Sequence, residues 1–280
     1  DEYTCVVNNN YYTNLTAKHN LSWAAKVYRM MKDRGELGAL EGKIGIREAE
    51  IEAFEKAAAA MYLPYDRELD INPQDDSFLT KKVWDLAATP EEEFPIMQHH
   101  HLLELYRYQV CKQADTVLAH FIFEDEQKMS TMRNSFAYYE KVTTHDSSLS
   151  RCIFGIMASK LGEREKAYQY FDFSSKLDIC NSQKNTKDGI HTANMGGTYM
   201  AVVYGFLGLR VKEEGFFLAP TIPRQWKSYR VRISLRGSLL EVTVTPGCCV
   251  LRLVDGAAVT VSVNGVRQEV RDEVTLHLTA

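Results

Sequence analysis

A helical region followed by a small antiparallel β-sandwich is the fold class this sequence predicts. Two observations carry it. Apolar residues recur at helical spacing up to about residue 211, and at alternate positions from about residue 214 onward. Turn pairs punctuate the second regime, above all Asn264-Gly265, the strongest short hairpin signal in the chain. The division this gives is a helical domain over 1–212 and a β-sandwich over 213–280.

The elements follow in order. Residues 14–34 read as an amphipathic helix ended by Gly35, and 46–61 as a second that stops before Pro64. Residues 65–84 read as irregular, with a polar loop around Asn72-Pro73. A long periodic helix is expected over 97–123, another over 125–141 with a hinge near Arg133-Asn134, then helices over 147–161, 164–177 and 192–209. Short connections between them predict antiparallel neighbours. Strands are expected at 229–235, 239–245, 250–253, 259–263 and 270–278, with turns at Arg236-Gly237, Pro246-Gly247 and Asn264-Gly265 and a joint over 211–223.

Composition narrows the function classes. Of 280 residues, 45% are hydrophobic and 25% charged, the balance of a globular protein. A net charge of −4 with mixed signs argues against a nucleic-acid surface. No apolar run approaches the roughly 18 residues of a membrane span. The chain opens on Asp1-Glu2-Tyr3 without a Met or a signal peptide, which predicts a piece of a longer protein. Six scattered cysteines with no Cys-x-x-Cys pair predict reduced thiols and a cytoplasmic setting, with Cys111 and Cys152 buried in helices.

Four stretches carry candidate chemistry. In the first, Glu2 precedes a loop rich in Asn and Tyr, including Tyr3 and Asn9. Amides and phenols suit sugar hydroxyls, and a partly buried carboxyl can act as a general acid. The competing reading is a frayed end beside an Asn-rich loop. In the second, Lys112 and Gln113 point into a polar pocket, or Lys112 and Asp115 form an i,i+3 surface pair. In the third, His145 to Ser150 suggests either a triad or a helix cap by Asp146 or Ser147. In the fourth, a Gly-bearing loop from Asp188 runs into an apolar helix. Its free N–H groups, with His191, Thr192, Asn194, Gly196 and Gly197, offer an anion site. A plain helix start with Thr192 or Asn194 as cap is the alternative. The run His99-His100-His101 does not read as a metal site, because consecutive helical residues diverge by about 100°.

Together these motifs closely resemble glycoside hydrolase family 65, the inverting phosphorylases of maltose, trehalose, kojibiose, nigerose and related α-glucosides. The order of the four motifs matches the family's, and the resemblance spans essentially the whole chain. It implies the second half of an (α/α)6 barrel followed by a β-sandwich, with the first half of the barrel outside this sequence. It implies Glu2 as general acid; Lys112, Gln113, Tyr3 and Asn9 at the sugar; and the His191–Gly197 loop at phosphate. Inorganic phosphate is then a substrate, with no metal and no organic cofactor, and homodimers are frequent in the family. An inverting hydrolase would need a second carboxylate to activate water, and residues 189–198 contain none. A hydrolase of the same fold and a non-catalytic sugar-binding protein are the alternatives. Thr4 to Asn8 departs from the family pattern, which favours nigerose or kojibiose over maltose or trehalose.

Overall fold

The computed structural model describes residues 1–278, which fall into two compact units, Asp1–Asp146 and Ser147–Ala280. The first unit opens with a 3₁₀ turn, Glu2–Thr4, then α1 (Tyr11–Asp33), α2 (Leu37–Ile44) and α3 (Glu48–Ala59). Asn10 caps α1, its Oδ1 accepting from the Thr13 N–H at 2.9 Å. Apolar faces of α1 and α3 meet at Ala25, Tyr28 and Ile51. The expected second helix, 46–61, forms as α3, and α2 is an additional helix, ended by Gly45 at a left-handed φ of 68°.

The long helix expected over 97–123 does not form. That stretch holds a 3₁₀ turn at Ile96–Gln98, the short α4 (Leu102–Leu105), the strand β2 (Tyr108–Gln109) and α5 (Asp115–Ile122). β2 pairs in parallel with β1 (Lys82–Val83). Its apolar residues serve two packing sites. Leu105 and Val110 join Tyr3 and Ile96 in one cluster, whereas Ala119 packs with Tyr11 and Leu15. A period set by two separate partners imitates one helix. Cys111 is buried as expected, but in a bridge to Thr143 rather than in a helix. α6 (Met129–Val142) is continuous, with no hinge at Arg133-Asn134.

The loop expected to be polar and irregular at 71–75 is buried throughout. Most of its polar groups find partners, Asp75 Oδ2 being left without one among the described residues. Tyr139 donates to the Asn72 carbonyl at 2.8 Å, Asn72 Oδ1 pairs with His120 Nε2 at 2.9 Å, and the Gln74 carbonyl accepts from Tyr11 N–H at 3.0 Å. Burial pushes the His120 imidazole down from 6.5 to about 4. The folded state thus holds His120 neutral, while the unfolded chain takes up a proton below about pH 6.5. Its contribution is fully present above pH 6.5 and is lost as pH falls toward 4. Urea titrations at pH 7 and pH 4 should show wild type losing about 3 kcal/mol more than His120→Gln. Parallel losses in the two proteins would remove His120 as the cause.

The second unit carries α7 (Ser150–Lys160), α8 (Arg164–Lys176) and α9 (Thr192–Met200), the last continuing as a π-helical stretch over Ala201–Phe206. Eight strands follow: β3 (Arg210–Lys212), β4 (Gly215–Leu218), β5 (Tyr229–Leu235), β6 (Ser238–Thr245), β7 (Cys248–Asp255), β8 (Val259–Val263), β9 (Val266–Val270) and β10 (Glu273–His277). They form two four-stranded sheets, ordered β10-β7-β6-β5 and β3-β4-β8-β9. All three predicted turns form. At Asn264-Gly265 both residues take positive φ, 47° and 81°, and Val263 pairs with Val266 across them. The sandwich is not wholly antiparallel, since β4 and β8 run parallel. The expected joint contains β3 and β4, and the expected last strand, 270–278, forms as β10, with β9 an additional strand after the Asn264-Gly265 turn. Val203, Leu207 and Leu209 enter the same core as Leu240, Val242 and Leu251, so the last helical residues of this unit pack on its sandwich.

Candidate active site

The 3₁₀ turn bearing Glu2 is held from several sides. Asp1 Oδ1 accepts from Tyr3 N–H at 3.2 Å and from Lys112 N–H at 3.1 Å. Asp115 Oδ2 accepts from the Asp1 backbone nitrogen at 2.8 Å and from Asn10 Nδ2 at 3.3 Å, clamping both ends of the loop. Tyr3 is fully buried and donates to Asp146 Oδ2 at 2.7 Å, where Ile96 N–H also donates at 3.1 Å. Burial, then the bond to Asp146, pushes the Tyr3 phenol far up, so it stays protonated. Tyr3 is thus an anchor under the turn, not a group on the exposed side.

Glu2 stays exposed above this anchor. Its Oε1 meets Lys112 Nζ at 2.9 Å, whereas Oε2 has no hydrogen-bond partner among the described residues. The Lys112 side chain is only 16% exposed, and the residue precedes α5 instead of lying on a long helix. The i,i+3 pair with Asp115 is therefore not made; Asp115 clamps the acid loop instead. Beside Lys112, Gln113 Oε1 is buried with no donor among the described residues. A buried acceptor left open is a place for a ligand hydroxyl or a water. Asn9 takes a positive φ of 53°; its Nδ2 donates to Asp76 at 2.6 Å and its Oδ1 accepts from Asn14 at 3.3 Å. Both ends of its amide are committed to the loop.

The third motif is neither a triad nor a cap by Asp146. Asp146 anchors Tyr3, and Ser147 Oγ accepts from Leu149 N–H at 3.2 Å in the turn before α7, which has no side-chain cap. His100 pairs with Glu93 at 2.9 Å and meets Trp84 edge-on, while His101 Nδ1 caps α4 by accepting from Leu103 N–H.

In the second unit, His191 is the N-cap residue of α9. Its Nδ1 donates to Asp178 Oδ1 at 2.6 Å, and its backbone N–H donates to Asp178 Oδ2 at 3.0 Å. The imidazole beside it holds the Asp178 carboxyl below the usual range. With the Nδ1 proton committed to Asp178, Nε2 is the ring atom left for a ligand. Neither Thr192 nor Asn194 caps by side chain. Thr192 is exposed at the first helical position, so the N–H groups of that turn lack a side-chain acceptor. Asn194 is buried, its Nδ2 donating to the Ser174 carbonyl at 2.8 Å while Oδ1 lacks a protein partner. The two glycines differ. Gly196 has open space where a side chain would stand, whereas a Cβ on Gly197 would lie 2.5 Å from Cys152 Sγ. Gly197 thus lets α9 approach α7.

Sequence reasoning missed Asp115, Asp146 and Asp178 as positioning groups. They act across 114, 143 and 13 positions respectively, and no local spacing signals such pairs.

A carboxylate on a braced turn, paired with a lysine and beside an open amide acceptor, presents hydrogen-bonding groups that suit a polar ligand such as a sugar. Comparison with known families agrees. The glycosyl hydrolase family 65 central catalytic domain matches residues 1–200, and the C-terminal domain of the same family matches residues 209–270. The chain belongs to glycosyl hydrolase family 65. It is 55% identical to an α,α-trehalose phosphorylase of Geobacillus stearothermophilus over 281 residues, covering 100% of this chain and 37% of that protein. It is 35% identical to a kojibiose phosphorylase of Caldanaerobacter subterraneus subsp. tengcongensis, over 87% of this chain and 32% of that one. A solved structure titled as a putative kojibiose phosphorylase from the human microbiome superposes with a TM-score of 0.90 at 29% identity, over 99% of this chain and 38% of that one. The chain thus spans about a third of the length of the relatives it matches. Identity is higher to the trehalose relative than to the kojibiose one, against the leaning drawn from Thr4 to Asn8. Part of that segment is structural, while Cys5, Val6 and Asn8 are exposed. Thr4 is buried against Gln74, and the Asn8 carbonyl accepts from Asp76 N–H.

Proposed function

We propose that this chain forms part of an inverting phosphorylase that converts an α-linked glucose disaccharide and inorganic phosphate into β-glucose 1-phosphate and a free sugar. α,α-Trehalose is the first disaccharide to test, on the strength of the 55% identical relative. Glu2 gives its proton to the leaving sugar oxygen. Lys112 and Gln113 bind sugar hydroxyls, with Tyr3 and Asn9 shaping the loop that carries the acid. Phosphate, held by His191 and the first turn of α9, attacks the anomeric carbon from the face opposite the leaving group.

One observation carries the choice of phosphate over water. The 189–198 loop has no carboxylate of its own, and the carboxylate that stands against it, Asp178, spends both oxygens on His191. A water-activating base needs a free carboxylate oxygen. An oriented imidazole at an uncapped helix N-terminus suits an anion instead. Phosphate is already a nucleophile and needs no base.

In this reading the helices belong to an (α/α)6 barrel whose first half lies outside this sequence, and the helical domain gives way to the β-sandwich near 212/213. Six free thiols fit a reducing, cytoplasmic setting. Among the described residues no helix is long and apolar enough to cross a membrane.

The deciding experiment incubates the full-length enzyme with β-glucose 1-phosphate and glucose, and follows released phosphate and the disaccharide formed. Phosphate release with a single α-linked product is the expected result. Cleavage of trehalose at equal rates with and without phosphate would establish a hydrolase instead.

A further inference from the structure

The 3₁₀ turn that presents Glu2 also presents Cys5, and nothing in the proposed reaction yet uses it. In a 3₁₀ winding, side chains at i and i+3 eclipse. Cys5 closes the turn with helical angles, φ −90° and ψ −20°, so it stands on the same side of the turn as Glu2. It is exposed, and its Sγ donates to the hydroxyl of Tyr106 at 2.9 Å. Tyr106, at the C-terminal end of α4, is half-buried, so its ring is fixed while its hydroxyl reaches the exposed thiol. The Cys5 bond occupies one lone pair of the Tyr106 oxygen. The phenolic proton and a second lone pair remain for another partner.

A general acid lies against the oxygen that leaves. Groups on the acid's own side of the turn therefore border the leaving sugar, not the phosphate. We propose that Tyr106, held in place by Cys5, contacts the leaving sugar and sets which acceptor the enzyme takes. The ligand is a hexose: its hydroxyls meet the Tyr106 hydroxyl, and an apolar patch of its ring lies on the phenol face. This rests on Glu2 being the general acid. The exposed Val6, the next residue, adds an apolar edge to the same loop.

The test uses the full-length enzyme and two readouts. In the synthetic direction, Tyr106→Phe should raise the KM for glucose as acceptor about three- to tenfold, the loss of one hydrogen bond, with the KM for β-glucose 1-phosphate unchanged. Cys5→Ser keeps a donor for Tyr106 and should stay near wild type, whereas Cys5→Ala should move toward Tyr106→Phe. Equal changes in both KM values, or none in the acceptor KM, would overturn the proposal. The second readout needs no turnover. Iodoacetamide labelling of the wild type, followed by peptide mass spectrometry, should show saturating trehalose or glucose slowing alkylation of Cys5 several-fold while the exposed Cys180 reacts as before. Cys5 labelling that ignores every sugar would also overturn it. A wild type that makes no phosphate but is protected at Cys5 would defeat the phosphorylase reading and leave the sugar contact standing.

Discussion

Glu2→Gln in the full-length enzyme should lower kcat for phosphorolysis of the natural disaccharide by about 10²- to 10⁴-fold, the usual worth of a positioned general acid. Binding should change little. Glutamine keeps an oxygen for Lys112 Nζ, which now meets Glu2 Oε1 at 2.9 Å, so the turn keeps its cross-link. It also leaves untouched the bonds of Tyr3 to Asp146 and of Asp1 to Lys112, which fix the backbone. The measurement is kcat and KM for trehalose at saturating phosphate, beside the sugar's dissociation constant by calorimetry. A substrate with a leaving group that needs no proton, such as an activated glucosyl fluoride, should recover most of the lost rate. Near-normal turnover of the disaccharide in the variant would remove Glu2 from the acid role.

The readable part of this chain is the part in which chemistry is local. The hairpin at Asn264-Gly265 needs two residues with positive φ, and Asn-Gly meets that need within the turn itself. The same holds for Arg236-Gly237, where both φ values are positive. Helices α7 and α8 are each uninterrupted and are separated by Gly162 at a positive φ, so their bounds were legible to within three residues. The stretch over 97–123 failed because Leu105 and Ala119 answer to different clusters, and period cannot reveal how many partners a run has. The loop at 71–75 failed for the opposite reason. Asn72 and Gln74 read as surface residues, yet α5 and α6 supply His120, Thr116 and Tyr139 as partners. Glu2, Lys112, Gln113 and His191 were legible as candidates because reactive side chains cluster in short polar motifs. Their supports were not. Asp115, Asp146 and Asp178 are ordinary acidic residues until the chain brings them to a distant donor.

The Asp178–His191 pair gives the second large expectation. Removing the carboxylate frees the imidazole ring and the His191 N–H together, since one side chain holds both. Asp178→Ala should therefore raise the KM for phosphate on the order of tenfold, as expected for loss of hydrogen bonds to a charged group. His191→Ala should raise it at least as far. Asp178→Asn keeps an oxygen that can accept from one of the two His191 donors and should fall between wild type and alanine. The KM for the disaccharide should hold steady in all three. Because β-glucose 1-phosphate carries the same phosphoryl group, its KM in the synthetic direction should rise in parallel with that for phosphate. That parallel separates this site from the acid, where Glu2→Gln lowers kcat and leaves both KM values near their starting points. It also separates an anion site from a plain helix start. A helix that merely begins at Thr192 would lose some thermal stability in Asp178→Ala but would show the wild-type phosphate KM, and that result would take phosphate away from the α9 N-terminus.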